Sequence, residues 1–383
     1  MNKVLIVFHD SNVKSGATAS MLDLLAKLIQ YNKLEVKALI PESGNLASEL
    51  RKREINFIIR KFYSGRYSVR SFKEIILSFP KAVLKLILTL CSFISIKKQF
   101  EDVDIVYVNT SDNYMGLLIS IFLRKKTIFH IREFGVEDQN QRHVITDFFY
   151  YRLVNKFSSK VIVISDALKE KIEQIIDNDK LCLVYDDVNV SDSKLAKKMS
   201  GNIHTFVIVG TLCEGKGQYL AIKAFHSLIN DGYDAYLKII GADDNQYADY
   251  LKRVVTDCGL DSRVEFTGFI DDPNTVKFQQ DICLVPSLSE AFGRVTIESM
   301  ASGMVIIASD SGASKELIKD GVNGFLFTSG SVESLTEVLK KVIDTELLDL
   351  NRIAFNAQLE SKKYTSGYAA EKIFNIIEDV LLL

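Results

Sequence analysis

The chain has 383 residues, more than one ordinary core accommodates, which predicts two domains. Its 47% hydrophobic and 25% charged residues are those of a soluble globular protein, and a net charge of −2 gives no electrostatic case for nucleic acid as a partner. The five cysteines (Cys91, Cys182, Cys213, Cys258, Cys283) form no CxxC pair and have no histidine at ligand spacing, which argues against structural zinc and for a reducing cytoplasm.

The opening MNKVLIVFHD carries one lysine before a short apolar run and no small-residue cleavage site, so it reads as a first strand rather than a signal peptide. Strand Val4–Phe8 leads into a loop containing Ser15-Gly16-Ala17 and then a helical pattern from Thr18 to Ile29. Ala82–Ile96 (AVLKLILTLCSFISI) is flanked by Lys73, Lys81, Lys97 and Lys98 and contains Lys85. It is short for a span, which needs about 20 apolar residues. Two readings stay open: a buried helix of the first domain, or a helix lying in the bilayer interface with its lysines on anionic headgroups. Apolar strands follow at Ile105–Val108, Thr127–His130 and Val161–Ile164, and the polar stretch Asp186–Asn202 reads as a linker.

The opening then repeats. Strand Phe206–Gly210, loop Thr211–Gly217 and a helix to about Asn230 are followed by strands Tyr236–Ile240, Ile282–Val285 and Val305–Ala308. Strands this apolar are covered on both faces, as in parallel doubly wound sheets. The expected architecture is α/β, with two Rossmann-like domains facing a central cleft. Residues 1–190 form the first, 191–365 the second, and 366–383 a last helix packing back on the first. Ligands of such sheets sit at the carboxyl ends of strands.

Two loops of the second domain have the makings of a phosphate site. In GTLCEGKGQ, Gly210 and Gly217 permit a tight turn at a helix N-terminus and Lys216 adds positive charge. Taken alone, this stretch reads as a plain strand-to-helix turn with an exposed lysine, because Gly-rich loops of this kind are common. In EAFGRVTIE, Glu290 lies on a loop, Gly293 allows close backbone approach, and Glu298 falls in the early turns of a short helix from Arg294 to Ser302. Gly303 suits the position just past that helix. A carboxylate accepts bonds from adjacent hydroxyls, so each glutamate suits one sugar ring, while amides between them face what links the rings. That description fits a sugar nucleotide.

E-A-F-G-R-V-T-I-E resembles the E-x7-E motif of the retaining GT-B glycosyltransferases of family 4. The resemblance continues through Ser299–Gly303, Val305-Ile306-Ala308-Ser309, Gly312, Glu316, Gly321 and Gly324, and takes in the Gly210…Lys216-Gly217 loop. It is weaker in the first domain, at Ser15-Gly16, HIREF (His130–Phe134) and VIVIS (Val161–Ser165). It implies that Glu290 holds hydroxyls of the transferred sugar, and that Phe292 and Gly293 offer amides to that sugar. Val295 and Thr296 would offer amides to the diphosphate, Glu298 would bind ribose and Lys216 would neutralise the diphosphate. Gly16 would let a helix N-terminus approach the phosphate, and His130 would reach the donor sugar. Arg132 and Glu133 read as an ion pair. Thr211 stands where many relatives carry arginine, with Arg294 placed to compensate.

The implied partners are a nucleotide sugar of UDP or GDP type and a glycan or lipid-linked acceptor, with no nucleic acid and no obligatory metal or other cofactor. The implied location is the cytoplasm, with the inner membrane face as a second option. The Asp243-Asp244 pair reads as a solvated loop. Two alternatives remain: a non-catalytic GT-B subunit stabilising a partner transferase, and a nucleotide-sugar epimerase.

Overall fold

The computed structural model describes residues 1–190, 205–270 and 280–382. The chain forms two compact units, 1–187 with 366–383, and 188–365.

In the first unit, β1 (Asn2–Val7), β2 (Leu34–Ile40), β3 (Asn56–Ile59), β5 (Ile105–Asn109), β6 (Lys126–Ile131), β8 (Lys160–Val163) and β9 (Leu181–Leu183) form a sheet in the order β3-β2-β1-β5-β6-β8-β9. All its neighbours run parallel. β4 (Arg66–Ser68) and β7 (Gln141–His143) pair separately and antiparallel. Every residue of β5 is buried, as expected of a strand covered on both faces. Helix Gly16–Gln30 buries Met21, Leu25 and Leu28 at helical spacing. The last helix, Tyr368–Leu382, packs on the same core through Ile373, Phe374, Ile377 and Val380. Tyr31 stacks on Phe374 with ring centroids 4.2 Å apart.

The second unit holds β10 (Thr205–Val209), β11 (Tyr236–Ile240), β12 (Val264–Phe266), β13 (Ile282–Val285), β14 (Val305–Ser309) and β15 (Phe325–Phe327), in the order β12-β11-β10-β13-β14-β15. This sheet too is parallel throughout. Its chain order reverses between β10 and β13, which is where open parallel sheets bind ligands. The corresponding reversal in the first sheet lies between β1 and β5.

Three readings from sequence change. The expected linker 186–202 is described only to residue 190, and its first residue is no linker residue: Asp186 is 6% exposed and ion-paired to Arg132. The helix expected at Ala82–Ile96 begins ten residues earlier, at Phe72, and runs through Pro80. Ser71 caps it, accepting from the Glu74 amide at 3.2 Å. Its outer face is exposed, so the buried-helix reading fails: it buries only Ala82, Thr89, Ser92, Phe93 and Ile96. Finally, Arg132 and Glu133 do not pair side chain to side chain. Arg132 turns to Asp186, and Glu133 turns to Arg66 at 3.5 Å.

Candidate functional site

The two loops singled out from sequence leave the carboxyl ends of β10 and β13, the pair that flanks the reversal of strand order. Glycine brings them together. Gly217 has φ 70°, and a Cβ there would lie 1.9 Å from the Pro286 carbonyl oxygen. No side chain fits, and the first loop rests directly on the backbone that ends β13. The Leu288 amide donates to the Gly215 carbonyl at 2.9 Å and ties the loops again.

This contact delivers Lys216 to Glu290. The Lys216 Nζ donates to Glu290 Oε1 at 2.7 Å, and the Ser287 Oγ donates to the same oxygen at 2.6 Å. Behind Glu290, the Ala313 amide donates to its carbonyl at 2.8 Å. Gly312 sits at φ 53°, where a Cβ would approach that carbonyl oxygen to 2.3 Å. Ser287 and Gly312 thus set the position of Glu290; neither role shows in a linear pattern, though Gly312 falls within the resemblance.

Helix Arg294–Ala301 starts beside this carboxylate. Gly293, in the left-handed region, is its N-cap and supplies no side-chain cap. The first intrahelical bond is Ile297 N to the Gly293 carbonyl at 3.0 Å, so the amides of Arg294, Val295 and Thr296 have no acceptor within the helix. Such an end favours an anion. The Thr296 side chain is fully buried, and its Oγ1 has no hydrogen-bond partner among the described residues. Phe292 is buried against Tyr364 with ring centroids 6.3 Å apart. Arg294 Nε lies 3.9 Å from Glu298 Oε1, one helical turn on, a loose pairing that leaves both half-buried. Thr211 is exposed, and its carbonyl accepts from Gln218 Nε2 at 3.0 Å. Gly210 is met from below by Gly241, where a Cβ would lie 2.0 Å from the Gly210 carbonyl oxygen.

In the first unit a second polar group gathers at the sheet's carboxyl end. Gly16 is the exposed first residue of its helix. Asn109, ending β5, donates through Nδ2 to the Ala17 carbonyl at 3.2 Å and accepts from Arg132 Nε at 2.8 Å. Arg132 Nη2 and the Tyr107 hydroxyl approach His130 Nδ1 at 3.1 and 2.6 Å. One chain of hydrogen bonds therefore joins the helix that Gly16 opens to His130. The ring of His130 is fully buried, and its Nε2 has no hydrogen-bond partner among the described residues. Burial and the Arg132 charge hold its pKa well below the ordinary histidine value, so it is neutral.

Just beyond the ends of the same strands, Glu133 Oε1 accepts from Ser111 N, Ser111 Oγ and Asp112 N at 2.8, 2.7 and 3.1 Å. Arg66, from β4, closes this cluster by contacting Ser111 Oγ and His143 Nε2 at 2.5 and 3.3 Å. Sequence reading missed Arg66, Ser111 and Asn109, because their partners lie tens of residues away. Among the described residues no group of three or more His, Cys, Asp or Glu is placed to hold a metal ion. Asp243 pairs with Lys252 at 2.7 Å.

Residues 192–359, which contain both loops and the E-x7-E stretch, match the family model described as Glycosyl transferases group 1. An uncharacterized glycosyltransferase of Methanocaldococcus jannaschii is 29% identical over 202 residues, 49% of this chain and 51% of that protein. The capsular polysaccharide biosynthesis glycosyltransferase CapM of Staphylococcus aureus is 22% identical over 263 residues, 63% of this chain and 68% of that one. The chain spans 51%, 38% and 58% of the length of three curated relatives that it matches. Anabaena HepE, crystallised with UDP and glucose, superposes with TM-score 0.77 at 21% identity, covering 99% of this chain and 100% of its own. TarM gives TM-score 0.75 at 13% identity, covering 98% of each chain. At these identities the likeness establishes the fold alone: the chain has the GT-B fold, two Rossmann-like α/β units.

Proposed function

We propose that this protein is a glycosyltransferase that moves a sugar from a nucleotide-sugar donor to a hydroxyl of a glycan or lipid-linked glycan in polysaccharide biosynthesis. Retention of configuration and independence of an obligatory metal are part of this reading. The observation that carries it is the convergence, at the sheet's switch point, of Lys216, Glu290 and the uncapped start of helix Arg294–Ala301. CapM, by its name a capsular polysaccharide enzyme, and a lipopolysaccharide core biosynthesis glycosyltransferase of Rhizobium meliloti support the product class. The UDP and UDP-glucose complexes of HepE support a UDP-type donor over GDP.

In this reading the donor diphosphate lies at the amides of Val295 and Thr296, and Glu298 takes the ribose hydroxyls. Glu290 and the backbone of Phe292 and Gly293 hold the transferred sugar. Lys216 rests on Glu290 until a donor is present, then shares its charge with the diphosphate. As the bond to the anomeric carbon breaks, negative charge grows on the leaving oxygen, where fixed positive charge and helix amides are most effective. The acceptor hydroxyl attacks from the same face as the departing diphosphate and gives its proton to the departing oxygen, which balances the transfer and preserves configuration. Arg294 stands in for the cation that Thr211 does not supply. Within the first unit, Tyr107 and Arg132 set the orientation of the His130 imidazole, which is fully buried.

The test is thermal unfolding of the purified chain with UDP, GDP, ADP and their sugar conjugates, followed by product analysis with the stabilising donor. A ligand that binds only the folded state raises its stability, by about 2.7 kcal/mol at a hundredfold excess over Kd. The expected result is stabilisation by one nucleotide class, and transfer that persists in chelator. No stabilisation by any nucleoside diphosphate or its sugar conjugates would overturn the reading.

A further inference from the structure

Helix Phe72–Ile96 leaves uncovered a side that soluble helices usually make polar. Its 25 residues extend about 37 Å at 1.5 Å per residue. Phe72, Ile76, Leu84, Ile87 and Ile94 are between 52% and 79% exposed on it. Phe122, 60% exposed on the neighbouring helix Tyr114–Leu123, extends the patch, its ring 5.5 Å from that of Phe93.

The inner side is tied down by polar bonds. The Tyr63 amide donates to Thr89 Oγ1 at 2.9 Å, Ser92 Oγ donates to the Lys61 carbonyl at 2.6 Å, and Arg60 Nε donates to Ser92 Oγ at 3.0 Å. A helix anchored along one face in this way cannot thread a bilayer, although its length and composition would suffice. It can lie flat on one.

The charge on the segment selects the occupant. Residues 72–100 contain five lysines and a single acid, Glu74, which is tied to Ser68. Lys73, Lys81, Lys85, Lys97 and Lys98 are all exposed. A second copy of the chain docked about a two-fold axis would set lysines against lysines. A surface of anionic lipid headgroups pairs with them while its acyl boundary takes the leucines and isoleucines. We infer that this face is a docking surface for an anionic lipid bilayer, with helix Phe72–Ile96 lying in the plane of the interface. This inference stands apart from the transfer reading, because none of its residues belongs to the donor site.

The test is co-sedimentation of the full chain with phosphatidylcholine vesicles, with and without phosphatidylglycerol, across a salt series. The expected result is binding to the anionic vesicles at low ionic strength and release as salt rises. Leu84→Glu with Ile87→Glu should weaken partitioning at least about tenfold, and Gln at Lys73, Lys81, Lys97 and Lys98 should weaken it about fivefold per lysine. These positions are exposed, so the melting temperature and nucleotide-induced stabilisation should stay at their parental values. Three results would overturn the inference. One is no sedimentation with anionic vesicles at low salt, and another is equal binding to neutral vesicles. The third is a dimer in sedimentation equilibrium that Leu84→Glu with Ile87→Glu dissociates while lipid binding is absent.

Discussion

Removing the Lys216 charge tests the proposed donor site most directly. In Lys216→Met the stem and its packing remain, but Glu290 Oε1 keeps only Ser287 of the two contacts described above. The lysine side chain is 37% exposed and the glutamate 14%, so water screens the pair and its share of folding stability is about 0–1 kcal/mol. In the proposed reaction the same charge would face a leaving diphosphate, and loss of a charge-assisted hydrogen bond costs about 1.5–3 kcal/mol. That corresponds to a fall of roughly 10- to 150-fold in kcat/KM at 1.36 kcal/mol per decade. The paired geometry raises a further question, whether Lys216 acts on the diphosphate or only by holding Glu290 in place. A double-mutant cycle with Glu290→Gln separates the two. If Lys216 acts on the leaving group, the losses in ln(kcat/KM) add; if it acts through Glu290, the double variant is no worse than the poorer single one. The assay is steady-state transfer with the donor identified by thermal shift, alongside unfolding of each variant. A Lys216→Met enzyme with parental kcat/KM would refute the placement of the diphosphate.

The remaining predictions use the same assays. Glu298→Ala should weaken binding of the free nucleoside diphosphate, whereas Glu290→Ala should lower turnover and leave that affinity nearly intact; equal loss of affinity in both would refute the division between ribose and sugar. Gly312→Ala should lower both stability and turnover, because its Cβ would press within 2.3 Å of the Glu290 carbonyl oxygen at a left-handed φ. Gly321→Ala, at φ 69° with nothing within 4 Å of its Cβ, should cost only the backbone strain of about 1–2 kcal/mol and spare turnover. Burial, with Arg132 beside His130 and Arg66 beside His143, holds both pKa values well below 6.5 in the folded chain. The unfolded chain therefore binds more protons as pH falls below 6.5, and each histidine should remove about 1.4 kcal/mol of stability by pH 5.5. Melting temperature followed from pH 7.5 to 5.5 should fall less steeply in His130→Asn than in the parent, and equal slopes would refute the buried neutral state.

Local chemistry wrote much of this architecture into the sequence. The apolar runs at Tyr236–Ile240 and Ile282–Val285 are strands with those bounds, because a strand buried on both faces needs no partner-specific residue. Gly303, at φ 72°, closes the helix it was expected to close, since that backbone conformation favours glycine wherever it occurs. The loops at 210–217 and 286–293 were legible for the same reason. Their meeting was not. Lys216 and Glu290 are 74 residues apart, and what joins them is the adjacency of β10 and β13 with Gly217 lying on the Pro286 carbonyl. Likewise HIREF showed its charges but not their partners, because Arg132 and Glu133 are answered by Asp186 and Arg66 from distant segments. The apolar run at Ala82–Ile96 is the sharpest case, since a core helix and a lipid-facing helix share one composition. Only the tertiary structure decides what covers each face, because burial belongs to neighbours brought near by the fold and not to the residues themselves.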